Sequence, residues 1–256
     1  MPYRDIPEIV IAKDGPVAIV TMNNPKMLNA FTDDMHTGME EVWQHLALDR
    51  SVRTIVLTGA GKAFSAGGNV PAFKKNYDDF QYRREGMRGA MRLLREMIDC
   101  PKPVIAAVNG PAVGLGCSVA VCSDVVMVAE SAFMADPHIE VGLVAGDGGA
   151  VMWPLMMSVL KAKYYLLTGD RIPAAECVNL GLANFVVPDA KLVEQAVALA
   201  TRIATKPQQA TEETKRAVNL HMHQALLRVG PFASMAEQES FGTTDVLAAI
   251  ERFTKR

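Results

Sequence analysis

Charge of one sign, paired cysteines and long apolar runs are all scarce in this chain, and each scarcity removes a class of function. With 26 Lys+Arg against 28 Asp+Glu over 256 residues, the formal net charge is -2. No bulk field therefore draws the protein to nucleic acid or to an anionic membrane, and the expected partner is a small molecule. The four cysteines, Cys100, Cys117, Cys122 and Cys177, show no CxxC spacing, and three lie in apolar segments where a reduced thiol packs as a small hydrophobe. Neither a disulfide nor a metal site is expected. The start, MPYRDIPEIV, has acidic residues where a signal peptide needs an apolar run, and no later stretch is long and apolar enough to span a bilayer. A cytoplasmic protein without membrane contact is the expectation.

What the chain does have is glycine at chosen places. EIVIAKDGPVAIVTM reads as two strands about a turn at Asp14–Gly15, since β-branched runs flank a dipeptide that favours positive φ. From Asp33 to about Asp49 the residues Met35, Met39, Val42, Trp43 and Leu46 recur at helical spacing, with Thr32 or Asp33 as the cap. RTIVLTG and KPVIAAVNG are buried-type strands that each end in glycine, a charged helical region runs from Tyr77 to Ile98, GLGCSVAVC opens an apolar helix, and DVVMVAE supplies another strand. Strand, glycine turn, helix and strand recur often enough to predict one layered α/β core. Beyond Gly148 the pattern is helical, and the last segment, Phe232–Phe253, reads as one amphipathic helix that docks on a neighbouring subunit. No repeat or low-complexity linker interrupts the chain.

The glycine loops do not match phosphate-binding patterns. GAGKAF lacks the spacing and the hydroxyl residue that a Walker loop needs, and GPAVGLG lacks the dinucleotide spacing and its acidic partner. SAGGN (Ser65–Asn69) and NGPAVGLGCS (Asn109–Ser118) instead look built to aim bare N–H groups at a developing negative charge. Those of a helix's first turn have no internal partner. A third segment, ADPHIEVGLVAGDGG, holds an imidazole and a carboxylate in one loop. His138 has an ordinary pKa near 6.5, so it can take up and return a proton at neutral pH. Asp147 either orients that imidazole, as a triad carboxylate does, or caps the helix that begins near Gly148.

NPKMLNAF, GKAFSAGGNV, PKPVIAAVNGPAVGLGCSVAVCSD and LLTGDRIPAAECVNLGLANFVV together resemble the crotonase (enoyl-CoA hydratase/isomerase) superfamily, in register over almost the whole chain. The resemblance implies a spiral of β-β-α units over residues 1–190 and a helical trimerisation region over 191–256, assembled as a homotrimer or a dimer of trimers. It implies an oxyanion hole made by the N–H groups of Gly68 and Leu115. Lys26, Leu28, Ala30 and Ala66 would line a coenzyme A site, coenzyme A being part of the substrate rather than a separate cofactor. The family's hydratases carry two glutamates that activate and deliver water, and here those positions are Ser118 and His138. A serine hydroxyl without a base is too weakly basic to deprotonate anything, so Ser118 is at most a positioner.

The segment DPHIEVGLVAGDGGAVMWP also resembles the 6-oxocamphor and β-diketone hydrolases of the superfamily, which use a His–Asp pair to activate water. His138 and Asp147 fall on that pair, and His36 matches a further histidine of the camphor enzyme. Three functions follow as expectations. The first is an acyl-CoA enzyme of hydratase type with a His138/Asp147 base. The second is a carbon–carbon bond hydrolase, and the third a non-catalytic acyl-CoA-binding scaffold. His36 beside an apolar stripe reads as structural, Glu237 and Glu239 in the tail either reach the site or lie on a solvated helix face, and Lys161 and Lys163 either touch coenzyme phosphates or, the favoured reading, solvate a helix face. His45 sits on the first helix, and His221 and His223 point apart on theirs, so no metal is expected.

Overall fold

The computed structural model describes residues 5–254. Positions 1–4 and 255–256, including the first residues of the stretch read against a signal peptide, lie outside the described residues. Six strands form one sheet: β1 (Ile9–Asp14), β2 (Val17–Met22), β3 (Thr54–Gly59), β4 (Val104–Val108), β6 (Val125–Ala129) and β9 (Phe185–Val187), in the order β1-β2-β3-β4-β6-β9. β1 and β2 pair antiparallel through the predicted hairpin, with Asp14 opposite Val17 and Gly15 at φ +55, and the remaining neighbours are parallel. Every residue of β3 and β4 is buried. Parallel strands covered on both faces carry such unbroken apolar runs, which is why these two were legible without alternation.

Helix α1 (Asp33–Leu48) starts as expected. Thr32 accepts from the Met35 amide at 3.0 Å, and all five residues of the predicted stripe are fully buried. The charged region splits into α2 (Phe73–Asp78) and α3 (Phe80–Asp99), because Asp79 leaves helical geometry and accepts from the Gln81 and Tyr82 amides as a new cap. A second, small sheet of β5 (Ala112–Val113), β7 (Phe133–Ala135) and β8 (Ile172–Pro173), in the order β5-β7-β8, was not foreseen. Its strands have two or three residues, too few to show a period. β8 and β9 also correct the purely helical reading beyond Gly148.

Helix α4 (Leu115–Val121) is buried throughout. α5 (Gly149–Met156), α6 (Val159–Thr168) and α7 (Ala174–Leu180) follow, and α8 (Leu192–Ala204) packs on the sheet, where Thr54 Oγ1 donates to the Ala200 carbonyl at 3.2 Å. α9 (Gln208–Arg228) is tied down by buried polar groups. Lys215 Nζ pairs with Asp124 at 2.8 Å and Asn219 donates to the Ile98 carbonyl at 2.9 Å.

The terminal segment is two helices, α10 (Gly230–Ser240) and α11 (Thr244–Thr254), not one. The break turns Phe241 inward, where its ring meets Phe73 edge-on at 5.5 Å within a satellite cluster that includes Leu143 and Val246. α10 lies against α3 within the protomer.

Candidate active site

The two glycine loops are stitched side by side. Ser65 Oγ donates to the Asn29 carbonyl at 2.7 Å and accepts from Gly67, the Gly67 carbonyl accepts from Phe31, and the Ser65 carbonyl accepts from the Val113 amide at 2.9 Å. Gly114, at φ +52, donates to the Ala135 carbonyl at 2.9 Å and delivers the chain into α4. Among the described residues, the Gly68 amide and the Leu115 amide, first of its helix, have no protein acceptor. Gly68 is exposed, and both residues line a cavity of about 430 Å³. That volume suits a small-molecule site.

His138 stands on the same wall, on a short turn after β7. A Cβ on Gly114 would lie 3.3 Å from its Cε1, so the ring packs directly against the start of the second loop. Its partners differ from those expected. Nδ1 is held by Asp136, a residue that sequence reasoning passed over, and Asp136 is almost fully buried. Nε2 faces Asp147 Oδ2 at 3.4 Å and Glu237 Oε1, from α10, at 3.7 Å. Asp136 therefore holds the place of a triad carboxylate, and Asp147 sits on the opposite, cavity side. Asp147 does not cap α5, whose N-cap is Gly148 without any side-chain bond.

Burial alone would lower the His138 pKa, but the charges of Asp136 and then Asp147 outweigh it and hold the pKa well above the ordinary imidazole value. That shift favours the charged ring, whereas the residue type alone offers a group of ordinary imidazole basicity. Burial, and after it the charge of Asp147, also raise the Glu237 pKa well above the ordinary glutamate value, against the opposing influence of His138. The site sets an imidazole between two aspartates, with the Glu237 carboxyl beside Nε2.

The DGG run explains its own composition. A Cβ on Gly149 would fall inside the Asp136 carboxylate, and one on Gly148, at φ +139, would collide with the Ser118 hydroxyl. Gly149→Ala is expected to cost about 1–3 kcal/mol by overpacking. Gly86→Ala, on α3 with nothing near its Cβ, is expected to be neutral or stabilising by about 0.5–1 kcal/mol. Urea midpoints of the two variants check the contrast, and equal midpoints contradict it.

The remaining predicted residues fall in different places. Ser118 is fully buried, donates to the Gly114 carbonyl at 3.3 Å and is absent from the cavity wall. Of the four coenzyme A positions, Ala66 lines the cavity, and its amide donates to the Leu28 carbonyl at 2.9 Å. Leu28 and Lys26 are exposed beside that loop and Ala30 is buried under it. Glu239 is exposed, while His223 pairs with Asp99 at 3.1 Å. Asp136, His138 and Asp147 form the one group of metal-ligating side chains gathered within 4.8 Å among the described residues. In that group Nδ1 meets Asp136, while Nε2 faces both Asp147 and, outside the group, Glu237.

Residues 12–256 match the enoyl-CoA hydratase/isomerase family. The short-chain-enoyl-CoA hydratase of Clostridium acetobutylicum is 32% identical over 98% of this chain and 96% of its own length. The crotonyl-CoA hydratase of Syntrophomonas wolfei is 32% identical over 97% and 95%. A crystal structure of an enoyl-CoA hydratase/isomerase from Mycobacterium paratuberculosis superposes with a TM-score of 0.93 at 46% identity, covering 98% of this chain and all of that one. Family, relatives and the spiral of strands and helices agree with one another: the chain has the crotonase fold and belongs to the enoyl-CoA hydratase/isomerase family.

Proposed function

We propose that this protein hydrates an enoyl-CoA thioester, with its protons handled by the unit Asp136–His138–Asp147 in place of the two glutamates of its relatives. The observation that carries the reading is the meeting, in one cavity, of two unengaged main-chain amides with an imidazolium set between carboxylates. Gly68 and Leu115 donate to the thioester oxygen as it becomes an enolate. Each such donor is worth about 3 kcal/mol in well-studied enzymes. Lys26, Leu28, Ala30 and Ala66 border the coenzyme A portion, and no further cofactor is invoked.

Asp147, whose Oδ1 has no protein partner among the described residues, takes a proton from water as the oxygen bonds to the β-carbon. The C=C electrons move to the thioester oxygen, and the Nε2–H of His138 then protonates the α-carbon. The proton on Asp147 crosses to Nε2 and resets the site. Ser118 moves no proton in this scheme; through Gly114 it steadies the loop that presents Leu115. Exposed apolar side chains such as Leu227 and Phe232 on α9 and α10 suit assembly as a homotrimer or a dimer of trimers.

Loss of the enoyl absorbance of crotonyl-CoA, or of longer or branched enoyl-CoAs, is the direct assay, and absence of any depletion removes hydratase chemistry. Its pH profile carries the sign of the His138 shift. The raised pKa favours the acid form through neutrality, so the rate is expected to fall on the alkaline side as the ring loses its proton. The same shift makes His138 stabilise the fold fully below its unfolded pKa of about 6.5, a contribution lost as pH rises through the folded value. A rate that instead rises on the alkaline side, as the ring loses its proton, contradicts the assignment.

A second reading, hydrolysis of a carbon–carbon bond in a β-diketone or β-ketoacyl thioester, is favoured by Glu237, a protonated carboxyl beside Nε2. Water adds to the ketone carbonyl as its proton passes to Asp147, the C–C bond breaks to an enolate held by the same amides, Glu237 protonates the leaving carbon, and the proton on Asp147 returns to Glu237 through Nε2 of His138. Acid released from a 1,3-diketone by the wild type and lost in His138→Ala selects it. Coenzyme A binding with no turnover of either substrate selects a scaffold.

A further inference from the structure

The two amides that face the cavity are main-chain groups, so their aim is set by the peptide planes that carry them. A peptide unit is planar and trans, and fixing its carbonyl on one side turns its N–H to the other. For Leu115 the plane is held by α4 itself, since the Gly114 carbonyl accepts from the Ser118 amide at 3.0 Å. Gly68 lies in a loop, and its plane depends on neighbours from elsewhere. The Gly67 carbonyl accepts from the Phe31 amide at 2.8 Å, the Gly67 amide donates to Ser65 Oγ at 3.2 Å, and that hydroxyl donates onward to the Asn29 carbonyl at 2.7 Å. Asn29 is itself pinned, its Oδ1 accepting from the Asn24 amide and its Nδ2 donating to the Ala63 carbonyl, each at 2.9 Å.

Ser65 is fully buried and stands behind the cavity wall, so its hydroxyl never meets substrate. It touches the supports of both donors. On one side it holds the Gly67 amide. On the other, a Cβ placed on Gly116, the second residue of α4, would lie 2.6 Å from Ser65 Cβ and 2.8 Å from its Oγ, so the helix that presents Leu115 rests directly on this side chain. We propose that the Ser65 hydroxyl is the positioning group of the oxyanion site: it fixes the Gly67–Gly68 peptide with the Gly68 N–H turned into the cavity and, by seating α4, sets the separation of the two donors. Without Oγ, the Gly67 amide and the Asn29 carbonyl lose their partner where water does not reach, and the peptide plane is free to turn toward other acceptors. An enolate oxygen, which carries charge, is far more sensitive to that aim than the neutral carbonyl of a bound thioester. The inference rests on the thioester reading above.

The test uses acetoacetyl-CoA, a 1,3-dicarbonyl thioester that ionises to an enolate with its own near-ultraviolet band, beside butanoyl-CoA, which stays neutral. Bound to the wild type, acetoacetyl-CoA is expected to ionise at lower pH than in water. In Ser65→Ala the pH of half-ionisation should rise by about one unit and kcat on crotonyl-CoA should fall about tenfold, the two being the same free energy. The dissociation constant of butanoyl-CoA should stay within about twofold of the wild-type value. Ser65→Cys, whose thiol is a weaker donor and acceptor, should fall between, and it carries the test if Ser65→Ala does not fold. A wild-type enolate band in the folded variant overturns the inference alone, and so does a loss of butanoyl-CoA affinity in the same proportion as kcat, which marks a merely structural role. A wild type that leaves bound acetoacetyl-CoA ionising as it does in water, or that binds neither ligand, removes the oxyanion reading and this inference together.

Discussion

His138→Ala is expected to lower kcat on an enoyl thioester by about 10²–10⁴-fold, the range that general acid–base groups supply. KM should move little, because the oxyanion donors Gly68 and Leu115 are main-chain groups that the substitution leaves in place. The fold pays as well. The imidazolium stands between Asp136, 1% exposed, and Asp147, 8% exposed, and its removal leaves those carboxylates uncompensated. Breaking a buried ion pair from one side typically costs about 3–5 kcal/mol. His138→Gln, which keeps a donor in the slot, should lose turnover to a similar degree with a smaller drop in urea midpoint. Stopped-flow or steady-state loss of the enoyl absorbance measures the first effect and equilibrium unfolding the second. Wild-type turnover in a folded His138→Gln would end the assignment.

Asp136→Asn is expected to be nearly as damaging, at about 10²–10⁴-fold in kcat, although Asp136 is remote from the cavity face of the ring. An asparagine in the same space removes the largest charge that holds the imidazolium and presents either a donor or a neutral acceptor to Nδ1, so the tautomer and the ring angle are no longer imposed. The alkaline limb of the rate profile should move to lower pH with the variant, a displacement that a purely structural role for Asp136 would not produce. Asp147→Asn should also shift the limb down, but by less, since Asp147 meets Nε2 at 3.4 Å and ranks second among the charges acting on the ring. If Asp136→Asn leaves both kcat and the pH profile intact, orientation of the ring through Nδ1 is wrong.

The order of these two aspartates shows where a sequence stops informing. Asp147 attracted attention because its position matches a catalytic pair in resembling enzymes. Asp136 lies only two residues from His138, but adjacency along a chain does not state which side chains meet. That the two turn toward each other depends on the short helical turn after β7 and on Gly149, whose missing Cβ leaves room for the Asp136 carboxylate. The signal was present in the DGG run, as glycine without an evident turn to make. Glu237 and Glu239 were indistinguishable as helix-face glutamates, and it is the packing of α10 against α3 that turns Glu237 toward His138 and leaves Glu239 exposed.

What the chain determined by itself was local in origin. The cap at Thr32, the buried stripe of α1, the Asp14–Gly15 hairpin, the apolar runs of β3 and β4 and the open glycine loops each follow from backbone geometry and side-chain periodicity within a few residues. The tertiary structure alone decided the two-to-three-residue strands of the second sheet, the break between α10 and α11, and the environment that raises the His138 pKa above its ordinary value. Those outcomes depend on groups far apart in sequence being desolvated together, and neither burial nor the field of a neighbouring carboxylate exists until the chain has closed around them.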